Sequence, residues 1–191
     1  TINGAGSGNT IVQGAASRGV AAERVFHIRP ASGQTINVGL NGLTVRWGRY
    51  ASGVSGGGIR LDVGIPKVTL TNVVVTENDD TISGGGIAIL SVGAGTSLTL
   101  NNCTVSNNTA GSANAANSIG AGIFNYSSNS TVNITDSLIT GNTVSNTSSS
   151  VIAMGGGVAS AGGTVNISNS IISNNLATSS GFHAFSGGVH I

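Results

Sequence analysis

Two short runs carry most of the chemistry this chain can offer: Arg46-Trp47-Gly48-Arg49-Tyr50 and, thirty residues on, Thr76-Glu77-Asn78-Asp79-Asp80. The first supplies an indole, a phenol and two guanidiniums, and the second supplies the carboxylates of Glu77, Asp79 and Asp80. An aromatic platform flanked by charged hydrogen-bonding groups suits a sugar ring. Clustered carboxylate oxygens suit a hard cation, so a weak Ca²⁺ site is a second use for the same acids. Opposite charges facing each other on neighbouring strands are also ordinary cross-strand pairing. Register between the two runs would set Trp47 over Glu77, and Arg49 beside Asp79 or Asp80.

Other reactive side chains offer less. His27 alternates with Phe26 and Ile28 and is expected to point outward from a strand. His183, with Phe182 and Phe185, would make a contact patch. The single cysteine, Cys103, excludes an internal disulfide framework and a zinc site built on thiolates. Glycine-rich blocks mimic phosphate loops, yet no Gly-Lys-Ser/Thr follows them and no helix is expected after them. No catalytic residue and no metal centre is assigned, and no cofactor beyond the possible Ca²⁺.

Composition narrows the class. Charged residues make up 7% of the chain, far below the roughly 25% of ordinary globular domains. At 39% hydrophobic the chain is too apolar for a disordered tail, and no run reaches the ~18–20 apolar residues of a spanning helix. Solubility therefore rests on Ser, Thr and Asn. The formal net charge is +1, which offers no phosphate-neutralising surface, so nucleic acid is not an expected partner. Every Lys and Arg, and every acid except Asp136, lies at or before Asp80.

The elements that must position these residues come from a repeat. Gly56-Gly57-Gly58-Ile59, Gly84-Gly85-Gly86-Ile87, Gly120-Ala121-Gly122-Ile123 and Gly155-Gly156-Gly157-Val158 each precede a strand-like segment. Within those segments Val38, Val68, Leu98, Val132 and Val165 correspond, as do Leu40, Leu70, Leu100, Ile134 and Ile167, and Val45, Val75, Val105, Ile139 and Ile172. Apolar residues alternate there with Thr, Asn and Ser, the period of a strand with one buried face. Cys103 falls on an inward position beside Leu43, Val73, Ser137 and Ser170.

Two rows of residues supply corners. Gly42, Asn72, Asn102, Asp136 and Asn169 share one place, which makes Asp136 a corner residue rather than half of a catalytic pair. Asn78, Asn108, Asn142 and Asn175 share the other. Asparagine tolerates the left-handed conformation of a sharp corner, and stacked amides can hydrogen-bond as a structural ladder. A ~30-residue unit of short strands with no helix cannot bury its face alone and must stack on its neighbours. The sequence therefore predicts an all-β, right-handed, single-stranded parallel β-helix of about six coils. It forms one domain over residues 1–191, with uncapped ends completed by further coils of the same chain or by another copy. Loops between the Asn row and the next glycine block vary most in length, and variable insertions on one side of a solenoid are where binding usually resides.

These motifs resemble the repeats of right-handed β-helix surface proteins of the pectate-lyase-like superfamily. The Gly-Gly-Gly-Ile block followed by Leu98-Thr99-Leu100-Asn101-Asn102-Cys103-Thr104-Val105-Ser106-Asn107-Asn108 is also similar to the Gly-Gly-Ala-Ile repeats of polymorphic outer-membrane autotransporter passengers, although their Phe-x-x-Asn tetrapeptide is absent. The opening Thr1 to Gly14 resembles the first coils of such proteins. The resemblance implies a cell-surface or extracellular solenoid, in a superfamily that holds lyases, hydrolases, tailspikes, adhesins and stalks. Taken with the scarcity of paired acids, it leads to a non-enzymatic structural or adhesive rod presenting corner loops to a glycan or a cell-surface ligand. A carbohydrate-binding or carbohydrate-cleaving domain built on the Trp47 corner is the alternative.

Overall fold

The computed structural model describes residues 1–50, 55–111, 117–147, 152–180 and 183–191. Among these, every regular element is a strand, and every strand pairing is parallel. The chain winds as a parallel β-solenoid of about five turns.

Each turn contributes one strand to each of several stacked sheets. The broad sheet holds Ile2–Asn3, Thr35–Asn41, Ile65–Thr71, Thr96–Asn101, Ser130–Thr135 and Thr164–Ser168. A second sheet begins at Ile11–Gln13 and ends at Ile171–Ser173. The third contains Arg49–Tyr50, Asp79–Asp80, Thr109–Ala110, Thr143–Asn146 and Leu176–Ser179. A fourth runs from Phe26–Ile28 through Ile59–Leu61, Ile87–Ile89, Ile123–Asn125 and Val158–Ser160 to Val189–His190.

Strict alternation explains why these segments are strands with a fixed register. In Thr96–Asn101, positions 96, 98 and 100 are buried while 97, 99 and 101 are partly exposed, and Ser130–Thr135 repeats the pattern. A slip of one residue would turn the whole apolar set to solvent. In register, Ile2, Leu40, Leu70, Leu100, Ile134 and Ile167 form one column. Val12, Val45, Val75, Val105, Ile139 and Ile172 form another. Between the outer turns these side chains are buried, and they make one continuous core. At the outermost turns the columns emerge, with Ile2 46% and Ile167 40% exposed. A small second core of Ala110, Ala121, Val144 and Ala153 lies under the third sheet.

Both corner rows form, with a division of labour between conformation and hydrogen bonding. Gly42, Asn72, Asn102, Asp136 and Asn169 all have φ between +47° and +60°. At the other corner the left-handed residue is one earlier than the sequence suggests: Trp47, Glu77, Asn107, Gly141 and Asn174 carry φ of +53° to +65°. The corner needs only one such residue, and the asparagine after it turns its amide inward.

The inward amides make a buried ladder. Asn78 Nδ2 donates to Asn108 Oδ1 at 3.0 Å, Asn108 Nδ2 to Asn142 Oδ1 at 2.9 Å, and Asn142 Nδ2 to Asn175 Oδ1 at 2.9 Å. Each of these oxygens also accepts the backbone N–H of the preceding rung, and Gly48 N–H donates to Asn78 Oδ1. Asn78, Asn108 and Asn142 are fully buried. The glycine blocks exist because of this ladder. A Cβ on Gly86 would stand 3.0 Å from the Asn108 side chain and 2.6 Å from Gly122 O, and Gly122 meets Asn142 in the same way.

Candidate functional site

The structure brings the two charged runs side by side, with Asp79 and Asp80 in register with Arg49 and Tyr50. The seven side chains divide into two groups. Trp47 and Glu77 sit at the left-handed corner position, where a non-glycine residue costs about 1–2 kcal/mol. There the Trp47 indole N–H donates to Glu77 Oε2 at 3.0 Å. The Arg46 guanidinium lies 3.9 Å over the Trp47 ring and donates twice to Gln13 Oε1, at 3.1 and 3.0 Å. Gln13, Arg46, Trp47 and Glu77 thus form a closed stack, in which one ring face and the indole N–H are already engaged.

The second group lies on the third sheet. Arg49, Asp79 and Asp80 line a cleft of about 340 Å³ with Gly19, Thr81, Thr109 and Gly111. Arg46, Trp47 and Glu77 are not part of its lining. Register sets Arg49 opposite Asp79, but the ion pair goes elsewhere. Asp79 is held by Arg18, at 2.8 Å, and accepts the Thr109 hydroxyl, while the Arg49 side chain donates to Gly19 O at 3.1 Å. Arg18 belongs to the irregular first coil, where the repeat gives no register, so the sequence held no sign of this pairing. A cation drawn to Asp79 would have to displace that guanidinium.

Asp80 faces the other way. It continues the inward row that further along holds Ala110, Val144 and Ala177, and it is 4% exposed. Its Oδ1 accepts the N–H groups of Ile82 at 2.8 Å and Ser83 at 3.0 Å, fixing the turn that leads to the next glycine block. Burial pushes its carboxyl up to about 7, against the opposing pull of those two N–H donors and of Arg24 and Arg60. Arg24 lies 3.9 Å over the Tyr50 ring, so Tyr50, like Trp47, has a cation on one face.

The remaining candidates are dispersed. His27 is exposed as expected and lies 3.3 Å from Asp62, which Arg60 also contacts at 3.0 Å. Burial lowers the His27 pKa, with the Asp62 hydrogen bond acting in the opposite sense. Cys103 is buried, and burial raises its thiol pKa, which makes it an inert core residue. Asp136 is an exposed corner residue. His183 and Phe185 are in ring contact at 5.6 Å, and Phe185 also meets His190 at 6.3 Å, a partner the sequence did not suggest. Phe182 lies outside the described residues, as do parts of the variable loops after Gly48, Asn108, Asn142 and Asn175. No helix among the described residues is long and apolar enough to cross a membrane.

The parallel β-solenoid itself is what the structure supports of the resemblance to β-helix surface proteins. No protein-family model, no curated protein and no solved structure matches the chain.

Proposed function

We propose that this chain is a non-enzymatic, extracellular structural or adhesive β-helix: a rigid rod that presents corner loops and stacks end to end with further coils or with another copy. The observation that carries this reading is the Gly–Asn stack, whose amides run unbroken from Asn78 to Asn175 while the apolar columns join every turn to the next. A ladder of this kind stiffens the rod without committing any group to chemistry. The emergence of the same columns at the outermost turns, with Ile2 46% and Ile167 40% exposed, favours continuation of the stack. We take the coil as right-handed, as crossover connections between parallel strands nearly always are. The charge-poor second half and the likeness of the repeats to pectate-lyase-like and autotransporter passenger coils favour a surface location.

The closed Gln13–Arg46–Trp47–Glu77 stack weighs against a sugar platform on that face of Trp47. The cleft at Arg49, Asp79 and Asp80 is the observation that favours the second reading, a carbohydrate-binding or carbohydrate-cleaving domain. A glycan array probed with wild type, Trp47→Ala and Asp79→Asn distinguishes the two. The rod reading predicts no selective glycan binding that depends on these side chains. Selective binding abolished by either substitution would overturn it, as would release of reducing or unsaturated sugar ends.

A further inference from the structure

The two ends of the solenoid carry matching rows. The first, second and fourth sheets open on Ile2–Asn3, Ile11–Gln13 and Phe26–Ile28 and close on Thr164–Ser168, Ile171–Ser173 and Val189–His190. No strand among the described residues pairs beyond either set. Along the inward columns, Ile2 begins the row that Ile167 ends, Val12 the row that Ile172 ends, and Phe26 the row that Val189 ends. An outward row shows the same match with no core to explain it. The second sheet sets Ile11, Thr44, Val74, Thr104, Leu138 and Ile171 in register, on the face opposite the buried column. Its two end members are the exposed ones, Ile11 at 43% and Ile171 at 63%.

Each of these sheets stops on an unpaired strand with an apolar row open beside it, and such an edge is a template for a further strand. Two copies can meet there in two ways. A two-fold contact of the last turn with itself lays the outline of the coil on its mirror image. That outline is irregular, since strands of five, three, four, two and two residues follow one another around the last turn. Turned over, it aligns one sheet and misses the rest. A head-to-tail contact lays the outline on itself and pairs strands in parallel, as the chain's own turns do. The third sheet has no strand in the first coil. There Glu23 O accepts the Arg49 N–H and Gly19 O its guanidinium, so residues 19–23 cover that edge and leave Val20 65% exposed. Leu176, 50% exposed, stands at the far end of the same sheet. A fifth sheet begins only at Ser118–Ile119 and has no counterpart in the first coil.

We propose, resting on the stacked-rod reading above, that the last turn of one copy binds the first turn of the next, head to tail and in the register of the chain's own turns. Ile167 lies against Ile2 of the next copy, Ile172 against its Val12 and Val189 against its Phe26, which closes the columns over the seam. Outside the core, Ile171 covers Ile11 and Leu176 faces the loop that carries Val20, so four exposed apolar side chains leave water together. The last turn holds no Lys, Arg, Asp or Glu, so no like charges meet across the seam. Because the contact joins two different surfaces it does not close on itself, and copies add along one axis.

The test is disulfide trapping at one outward pair. The register sets Asn3 of the next copy beside Ser168, both exposed. Neighbouring strands stand ~4.8 Å apart, within the ~4.4–6.8 Å between Cα atoms that a disulfide bridges. Asn3→Cys and Ser168→Cys, alone and mixed, are oxidised with glutathione disulfide and sized on non-reducing gels, beside light scattering of the same samples. Wild type, whose only cysteine is buried, is the blank. The register predicts at least tenfold more covalent dimer in the mixture than in either variant alone, and a ladder of covalent oligomers when one chain carries both cysteines. Ile171→Lys, at an exposed position, should weaken association at least tenfold. Equal amounts of covalent dimer from Ser168→Cys alone would overturn the polarity. Assembly in scattering without the mixed crosslink, or undiminished in Ile171→Lys, would overturn the register while leaving the stacked rod standing. A monomer mass with no crosslink would overturn both.

Discussion

Replacing Asp80 with asparagine should make the protein more stable at neutral and alkaline pH, although the substitution removes a charge that two arginines attract. The folded carboxyl titrates at about 7 and the unfolded one near 3.8. Below about pH 4 both states hold the proton and the group has no effect. Between about 4 and 7 the unfolded chain releases its proton while the folded chain keeps it, so stability falls as pH rises. Above about 7 the loss is complete. At about 1.4 kcal/mol per decade of pH, the whole shift amounts to about 4 kcal/mol, an upper figure for a group with water nearby. The amide oxygen introduced by Asp80→Asn would still accept from the N–H groups of Ile82 and Ser83, so the turn survives. The assay is urea unfolding of both proteins from pH 4.5 to pH 8.5 in chloride media. Taking the difference between the two curves cancels the opposite contribution of His27, whose folded pKa is lowered. The account predicts that the advantage of Asp80→Asn over wild type grows by about 2–3 kcal/mol from the acid to the alkaline end of that range. Parallel curves would show that Asp80 ionises normally and would refute the burial argument.

Other expectations concern the stack. Asn108→Ala would orphan the Asn78 backbone N–H and strip Val75 O of its side-chain donor in a fully buried place, and should cost roughly 2–4 kcal/mol in urea unfolding. Asn175→Ala, on the half-exposed outermost rung, should cost about half as much. Gly86→Ala drives a Cβ against Gly122 O and the Asn108 amide, and should cost about 2–3 kcal/mol by overpacking. By hydrogen exchange, the backbone N–H groups of Asn78, Asn108 and Asn142 should open only with global unfolding. Exchange at loop rates would remove the ladder from the account.

The repeating parts were legible because they obey a period. The three apolar columns, the corner row from Gly42 to Asn169 and the inward Cys103 all follow from aligning one coil on the next. The left-handed residue at the second corner was misplaced by one, since Asn107 and Asn108 are adjacent and either could turn the chain. The contact between glycine block and ladder was not legible, because it joins segments whose distance apart in sequence says nothing about their approach. The candidate corner shows the same limit. Strand register led to Arg49 beside Asp79 or Asp80, and the structure sets it opposite Asp79, yet the guanidinium that binds Asp79 comes from Arg18 in the unrepeated first coil. Arg24 and Arg60 meet the interior near Asp80 for a similar reason. Their neighbours are set by how the first two coils close, which no periodicity encodes.

Stacking of one turn on the next is the property from which the proposed role follows, and a second copy should be able to extend it. Static light scattering of the purified chain over a hundredfold range of concentration, with electron microscopy of the same samples, tests this most directly. The account predicts a mass that rises with concentration and rods that lengthen along one axis. A monomer mass unchanged across the range, with no rods in the images, would contradict end-to-end stacking of this chain.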